Sequence, residues 1–90
     1  MTPLMNLKRA ASAEQAVAKF AEVVNADDTR QAIQDLVCDI GHLCDREGLN
    51  FQKIIVIAVG WWHAERMDPE GIHAEPYVTL SIDGTEVVSW

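Results

Sequence analysis

Gly48-Leu49-Asn50-Phe51-Gln52-Lys53-Ile54-Ile55-Val56-Ile57-Ala58-Val59-Gly60-Trp61-Trp62 is the stretch whose reading decides the fold. Ile54 to Val59 is apolar and rich in β-branched side chains, so the run taken alone also fits a buried strand. Its flanks select a helix. Gly48 sits where a left-handed residue closes a preceding helix, and Asn50 can cap the next one. Phe51 to Arg66 then gives 16 residues before Asp68-Pro69 breaks the pattern. On that helix Phe51, Ile54, Ile55, Ala58, Trp61, Trp62 and Glu65 take the inner side. Val56 and Ile57 fall outside this stripe, so the helix is apolar nearly all round and needs cover on two faces.

Working backwards, Ile33, Leu36, Val37, Ile40, Leu43 and Cys44 form one apolar stripe at helical spacing, with Asp28 or Thr29 as the cap. An earlier helix is predicted over Ser12 to Val24. Ser12 and Gln15 resemble a capping box, and the Asn25–Asp28 polar cluster supplies the stop. Residues 1–11, with Pro3 and the basic pair Lys8-Arg9, read as a loosely ordered arm. Working forwards, Met67 to Pro76 reads as a loop. Tyr77 to Ile82 alternates, Asp83-Gly84 signals a type I′ hairpin turn, and Thr85 to Trp90 returns. A two-residue turn sets Leu80 opposite Val87 and Tyr77 opposite Trp90, with Val78, Leu80, Ile82 and Val87 on one face. A lone hairpin is marginal in water, so this one is expected to lie on the third helix and cover Val56 and Ile57. A homodimer contact is the alternative cover. The prediction is therefore an α+β fold: three helices followed by a C-terminal β-hairpin packed on the helical layer. With no linker in 1–90, a single domain is expected, helical over 12–66 and hairpin over 77–90.

Ninety residues, 49% of them hydrophobic and 23% charged, describe a small folding chain. Its formal net charge is −7, which argues against direct binding to nucleic acid phosphates. The imbalance is concentrated. Through Phe20, Lys8, Arg9 and Lys19 outweigh Glu14; beyond it, four basic residues face 13 acidic ones. Such a surface favours solubility, and it also fits a basic partner, including one that normally grips nucleic acid. Met1 to Leu7 is too short and polar for a signal peptide, and the longest apolar run is well below the ~20 residues of a membrane helix. Cys38 and Cys44 lie six apart on one helix, which separates them by about 9 Å along the axis and about 120° around it. They are read as free thiols of a cytosolic protein.

Chemistry-bearing groups are few. Asp35, Asp39, His42 and Arg46 form a second stripe on the second helix, about 130° from the apolar one. Asp39 with His42, joined by His63 from the third helix, are the weak candidates for a metal site. The plain reading is a solvated face with Asp39–His42–Arg46 salt links. No HExxH, CxxC, GxSxG, P-loop or dinucleotide fingerprint occurs. No enzyme, no catalytic residue and no cofactor is therefore expected. Trp61-Trp62-His63 is the most unusual string. Its tryptophans are expected under the hairpin and the 67–76 loop; alternatively they form an aromatic interface anchor extended by Met67, Ile72 and Tyr77.

Asp35-Leu36-Val37-Cys38-Asp39-Ile40-Gly41-His42-Leu43-Cys44-Asp45, followed by Gly48-Leu49-Asn50-Phe51 and His63-Ala64-Glu65, resembles a two-helix pattern of small bacterial mobile-element proteins from phages and plasmids. The pattern is roughly DLxxDxxHxCDxxGxxF with a helical second half, and it covers residues 32–66. This chain departs from it at Gly60, where the pattern favours alanine, and by adding the hairpin. The resemblance supports the helix over 51–66 and carries no catalytic role. In size and charge alone the chain is similar to anti-CRISPR proteins. That similarity implies an acidic, non-enzymatic inhibitor, with Asp35, Asp39, Asp45 and Glu47 occupying the basic surface of a host protein or ribonucleoprotein. The other expectation is a homodimeric scaffold working through Trp61, Trp62 and the hairpin.

Overall fold

Capped by Pro3, the first helix begins at Leu4, eight residues before the expected Ser12. The computed structural model describes residues 3–71 and 78–89, and within them α1 spans Leu4–Val24. Proline presets a helix-compatible φ, here −59°. The residues that follow, Leu4, Met5, Leu7, Lys8, Arg9, Ala10 and Ala11, are mostly strong helix formers. The segment read as an arm is thus helical from Leu4. Ser12 lies inside the helix, and its hydroxyl donates back to the Lys8 carbonyl at 3.2 Å in place of a capping box. Asn25 closes α1 in the left-handed conformation, φ 57°.

Helix α2 (Thr29–Glu47) follows as its caps predict. The Asp28 carboxylate accepts from the Gln31 amide at 2.8 Å. At the other end Gly48 takes φ 71°, and the amides of Gly48 and Leu49 donate to the carbonyls of Asp45 and Cys44 in a Schellman closure. Asn50 then caps α3 (Phe51–Met67), accepting from the Lys53 amide at 3.0 Å. The strand-like run Ile54–Val59 is helical.

The chain divides at this turn into two compact units, residues 1–49 and 50–90. Helices α1 and α2 pack together in the first. Its apolar interior is very small. Ala32 and Cys44 are its buried hydrophobic side chains among the described residues, and no residue of α1 is buried. The second unit holds α3 and the hairpin of β1 (Thr79–Ile82) and β2 (Thr85–Ser89), which packs on α3. Val56 is fully buried here, and Gly60 one turn later is buried as well. Lys53, on the same face, donates its ammonium to the Ser89 carbonyl at 2.9 Å. The face of α3 expected to lie outside the inner stripe is therefore the one that the hairpin covers. Ile54, Ala58, Trp61 and Trp62, expected inside, are exposed.

The turn has the expected type: Asp83 and Gly84 both have positive φ, 53° and 81°. It fixes Ile82 opposite Thr85 and Ser81 opposite Glu86, after which the ladder slips by one residue. Leu80 faces Val88 and Thr79 faces Ser89, which leaves Val87 as the extra residue of a bulge. This corrects the expected Leu80–Val87 pair. Side chains alternate faces along a strand, so a one-residue slip swaps which valine turns inward. Val88 is half-buried and Val87 is exposed. The expected Tyr77–Trp90 pair and the Ile72–Tyr77 extension lie outside the described residues.

Val56→Ala should lower stability by about 1.5–3 kcal/mol, through lost apolar transfer plus the residual cavity. Val87→Ala, at an exposed position, should cost less than about 1 kcal/mol. Urea titration of both variants followed by circular dichroism checks the pair, and equal losses would contradict the bulged register.

Candidate functional site

The described surface offers two distinct faces on α2 and one on α3. On α2 the acidic residues sit where the sequence put them. Asp35 is half-buried, and Asp39, Asp45 and Glu47 are exposed. Asp35 and Asp39 are one turn apart on the same stripe as His42. The expected Asp39–His42–Arg46 links do not form. Arg46 instead reaches its neighbour Glu47 at 3.1 Å, an exposed contact of small energetic weight. Among the described residues no cationic side chain makes an ion pair with Asp35 or Asp39. Two acidic groups one turn apart, neither of them in an ion pair, contribute a local negative potential.

The metal candidates Asp39 and His42 lie at i, i+3 on α2, and His63 lies on α3 in the other unit. Among the described residues no three His, Cys, Asp or Glu side chains come together as a metal site. Cys38 is exposed and Cys44 buried, both as free thiols, and the burial of Cys44 matches its place in the apolar stripe of α2.

The tryptophans differ from expectation. Trp61 is 49% and Trp62 is 55% exposed, so neither is sealed under the hairpin. Adjacent helix positions point about 100° apart. The Arg66 guanidinium lies 4.9 Å from the Trp62 ring centre, one turn along the helix. With Arg66 over the ring, Trp62 still keeps more than half of its surface exposed.

A third feature escaped the sequence reading. The apolar stripe of α2, expected to face a core, is largely open. Ile33 is 45% exposed, Val37 41% and Ile40 38%. Beside it, a cleft of about 570 Å³ runs between α1 and the start of α2, lined by Ala10, Ala13, Val17 and Ala21 on one side and by Ala32 and Ile33 on the other. The signal was present in α1, whose facing positions are mostly alanine. Alanine carries a helix without supplying the volume to cover a neighbouring isoleucine.

Comparison with protein-family models, curated proteins and solved structures finds no match. Among the described residues no helix is long and apolar enough to cross a membrane. The geometry provides surfaces for contact: an acidic stripe, an aromatic pair and an open apolar seam.

A thiol titration tests the placement of α2. Native protein should show one fast-reacting thiol per chain, from Cys38, and two after denaturation. Cys38→Ser should remove the fast phase. Two fast thiols in the native protein would mean that Cys44 is not covered. Acrylamide quenching in a Trp90→Phe background should likewise reach both remaining tryptophans readily.

Proposed function

We propose that this chain is a non-enzymatic binding protein that acts as an anti-defence inhibitor of the mobile-element type. Its acidic α2 stripe occupies a basic surface that a host protein or ribonucleoprotein otherwise uses to hold nucleic acid. The observation that carries this reading is the pair Asp35 and Asp39, one turn apart with no ion pair among the described residues. Asp45 and Glu47 extend the same charge toward the C-terminal end of the helix. The net charge of −7 supports it in two ways. It repels free nucleic acid, and it speeds encounter with a positively charged partner.

Exposure of Trp61 and Trp62 favours a second reading, an interaction or scaffold protein that docks through α3. Tryptophan is enriched among the residues that carry interface energy, and Arg66 over Trp62 gives this patch a defined shape. In this reading the acidic residues serve solubility and the aromatic pair makes the contact.

Immobilised protein should retain a basic, nucleic-acid-binding complex from a lysate of its source cells. Excess short duplex DNA or single-stranded RNA should displace that complex. The double reversal Asp35→Lys with Asp39→Lys should weaken retention by tenfold or more, because charge reversal adds repulsion to the lost attraction. Retention that survives both the competitor and the double reversal rejects the acidic mechanism. Loss on Trp61→Ala with Trp62→Ala instead selects the aromatic reading.

A further inference from the structure

The hairpin keeps one regular edge unpaired among the described residues. Its two-residue turn closes on the hydrogen-bonded pair Ile82–Thr85. Backbone groups alternate sides along a strand, so Ile82 and Leu80 direct their amides and carbonyls to β2. Thr79 and Ser81 direct theirs outward. The bulge adds its extra residue to β2 and leaves this alternation in β1 intact. Among the described residues nothing bonds to the outward groups of Thr79 and Ser81. β1 also lacks the charged side chain, proline or bulge with which an exposed edge is usually blunted. β2 is not equivalent, because Val87 breaks its repeat.

We infer that the β1 edge pairs with β1 of a second copy of this chain, antiparallel about a twofold axis through Leu80, so that two hairpins form one four-stranded sheet. Three observations select a second copy as the occupant. First, the outward groups complement themselves. With the axis on Leu80, Thr79 lies opposite the second copy's Ser81 and Ser81 opposite its Thr79, so every outward amide and carbonyl of the strand meets a partner. The axis then falls on a non-hydrogen-bonded pair, where side chains approach most closely, and there Leu80 meets Leu80. Second, the same register continues the apolar face across the junction. Val78, Leu80 and Ile82 share a face by alternation, yet Val78 and Leu80 are half-buried while Ile82 is 52% exposed. Pairing sets Ile82 opposite the second copy's Val78 and covers it. A register shifted by one residue would turn the two apolar faces to opposite sides of the sheet. Third, the helices have room. α3 packs more on β2 than on β1. The two β2 strands of the joined sheet lie about 14 Å apart, wider than the 8–10 Å at which helices pack, so both copies of α3 fit on one face. The contact lies in the unit without the acidic stripe, so it goes beyond the inhibitor reading and does not depend on it.

Sedimentation equilibrium of the full chain from about 10 μM to 1 mM tests this. The expected result is a reversible dimer of twice the 10.0 kDa chain mass, with a dissociation constant of about 100 μM, as a small contact gives. Amide hydrogen exchange followed by NMR locates the contact. The Thr79 and Ser81 amides should exchange about fourfold more slowly at the top of that range than at the bottom, while those of Leu80 and Ile82 are protected throughout. Ser81→Pro deletes an outward amide, leaves the hairpin's own bonds in place, and should weaken association at least tenfold. Thr79→Lys with Ser81→Lys sets like charges opposite each other across the junction and should weaken it about tenfold. Thr79→Glu with Ser81→Lys sets opposite charges there and should keep wild-type affinity to within about threefold. Both positions are exposed, so these two variants decide the matter if Ser81→Pro disturbs the hairpin. A chain that stays monomeric at 1 mM overturns the inference and leaves the edge to a strand of another protein. So does a dimer whose Thr79 and Ser81 amides gain no protection, one that Ser81→Pro leaves intact, or one that the two charge variants affect alike.

Discussion

Alanine sets the character of the α1–α2 unit. The α1 residues beside α2 at the cleft include Ala10, Ala13 and Ala21, while α2 brings Ile33 to the same cleft. Alanine is the best helix former and the poorest filler of space. A helix built this way forms readily from Pro3 onward and leaves its neighbour's larger side chains partly wet. The unit therefore has well-defined helix ends and almost no interior. Its stability rests on the caps at Asp28, Asn25 and Gly48 and on whatever further surface the α2 seam meets.

The α3–hairpin unit solves the same problem with a different device. One fully buried valine, a buried glycine and a lysine ammonium on a strand carbonyl fix the hairpin to the helix. The bulge at Val87 belongs to that arrangement. Without it Val88 would share the outward face with Thr79; with it Val88 turns toward the half-buried side that Leu80 occupies. Glycine inside a helix costs roughly 1 kcal/mol relative to alanine, and Gly60 lies where the helix surface is covered. Its departure from the alanine of the resembling two-helix pattern falls on this buried face.

Much of the architecture was legible because it is written in local signals. Asp28, Gly48, Asn50 and Asp83-Gly84 are caps and turns whose chemistry acts within four residues, and all four behave as their residue types dictate. The start of α1 was misread because Ser12 and Gln15 imitate a capping box inside a segment that propensity already makes helical. The hairpin register was misread because a bulge depends on what the strand packs against. Which faces are covered was the least legible part. Periodicity groups Ile33, Val37 and Ile40 on α2 and Trp61 and Trp62 on α3 into apolar stripes, but it says nothing of whether a neighbour closes over them, and on α3 the covered face is the one outside the expected stripe. Helix pitch alone places Asp35 and Asp39 together, whereas the salt links expected along that stripe do not form, because Arg46 turns to Glu47. The cleft beside α1 was not legible, since a cleft is the absence of side chains and leaves no residue to notice.

Lys53 has a further bearing on behaviour at high concentration. A two-stranded ribbon ends in exposed backbone edges, and such edges invite other ribbons to add on and grow into fibrils. Here the last residue of β2 already has its carbonyl occupied by the ammonium, and the bulge at Val87 interrupts the even row of donors and acceptors beside it. An incoming strand would have to displace a charge and match a broken repeat. The hairpin is thereby protected against polymerising through its β2 edge.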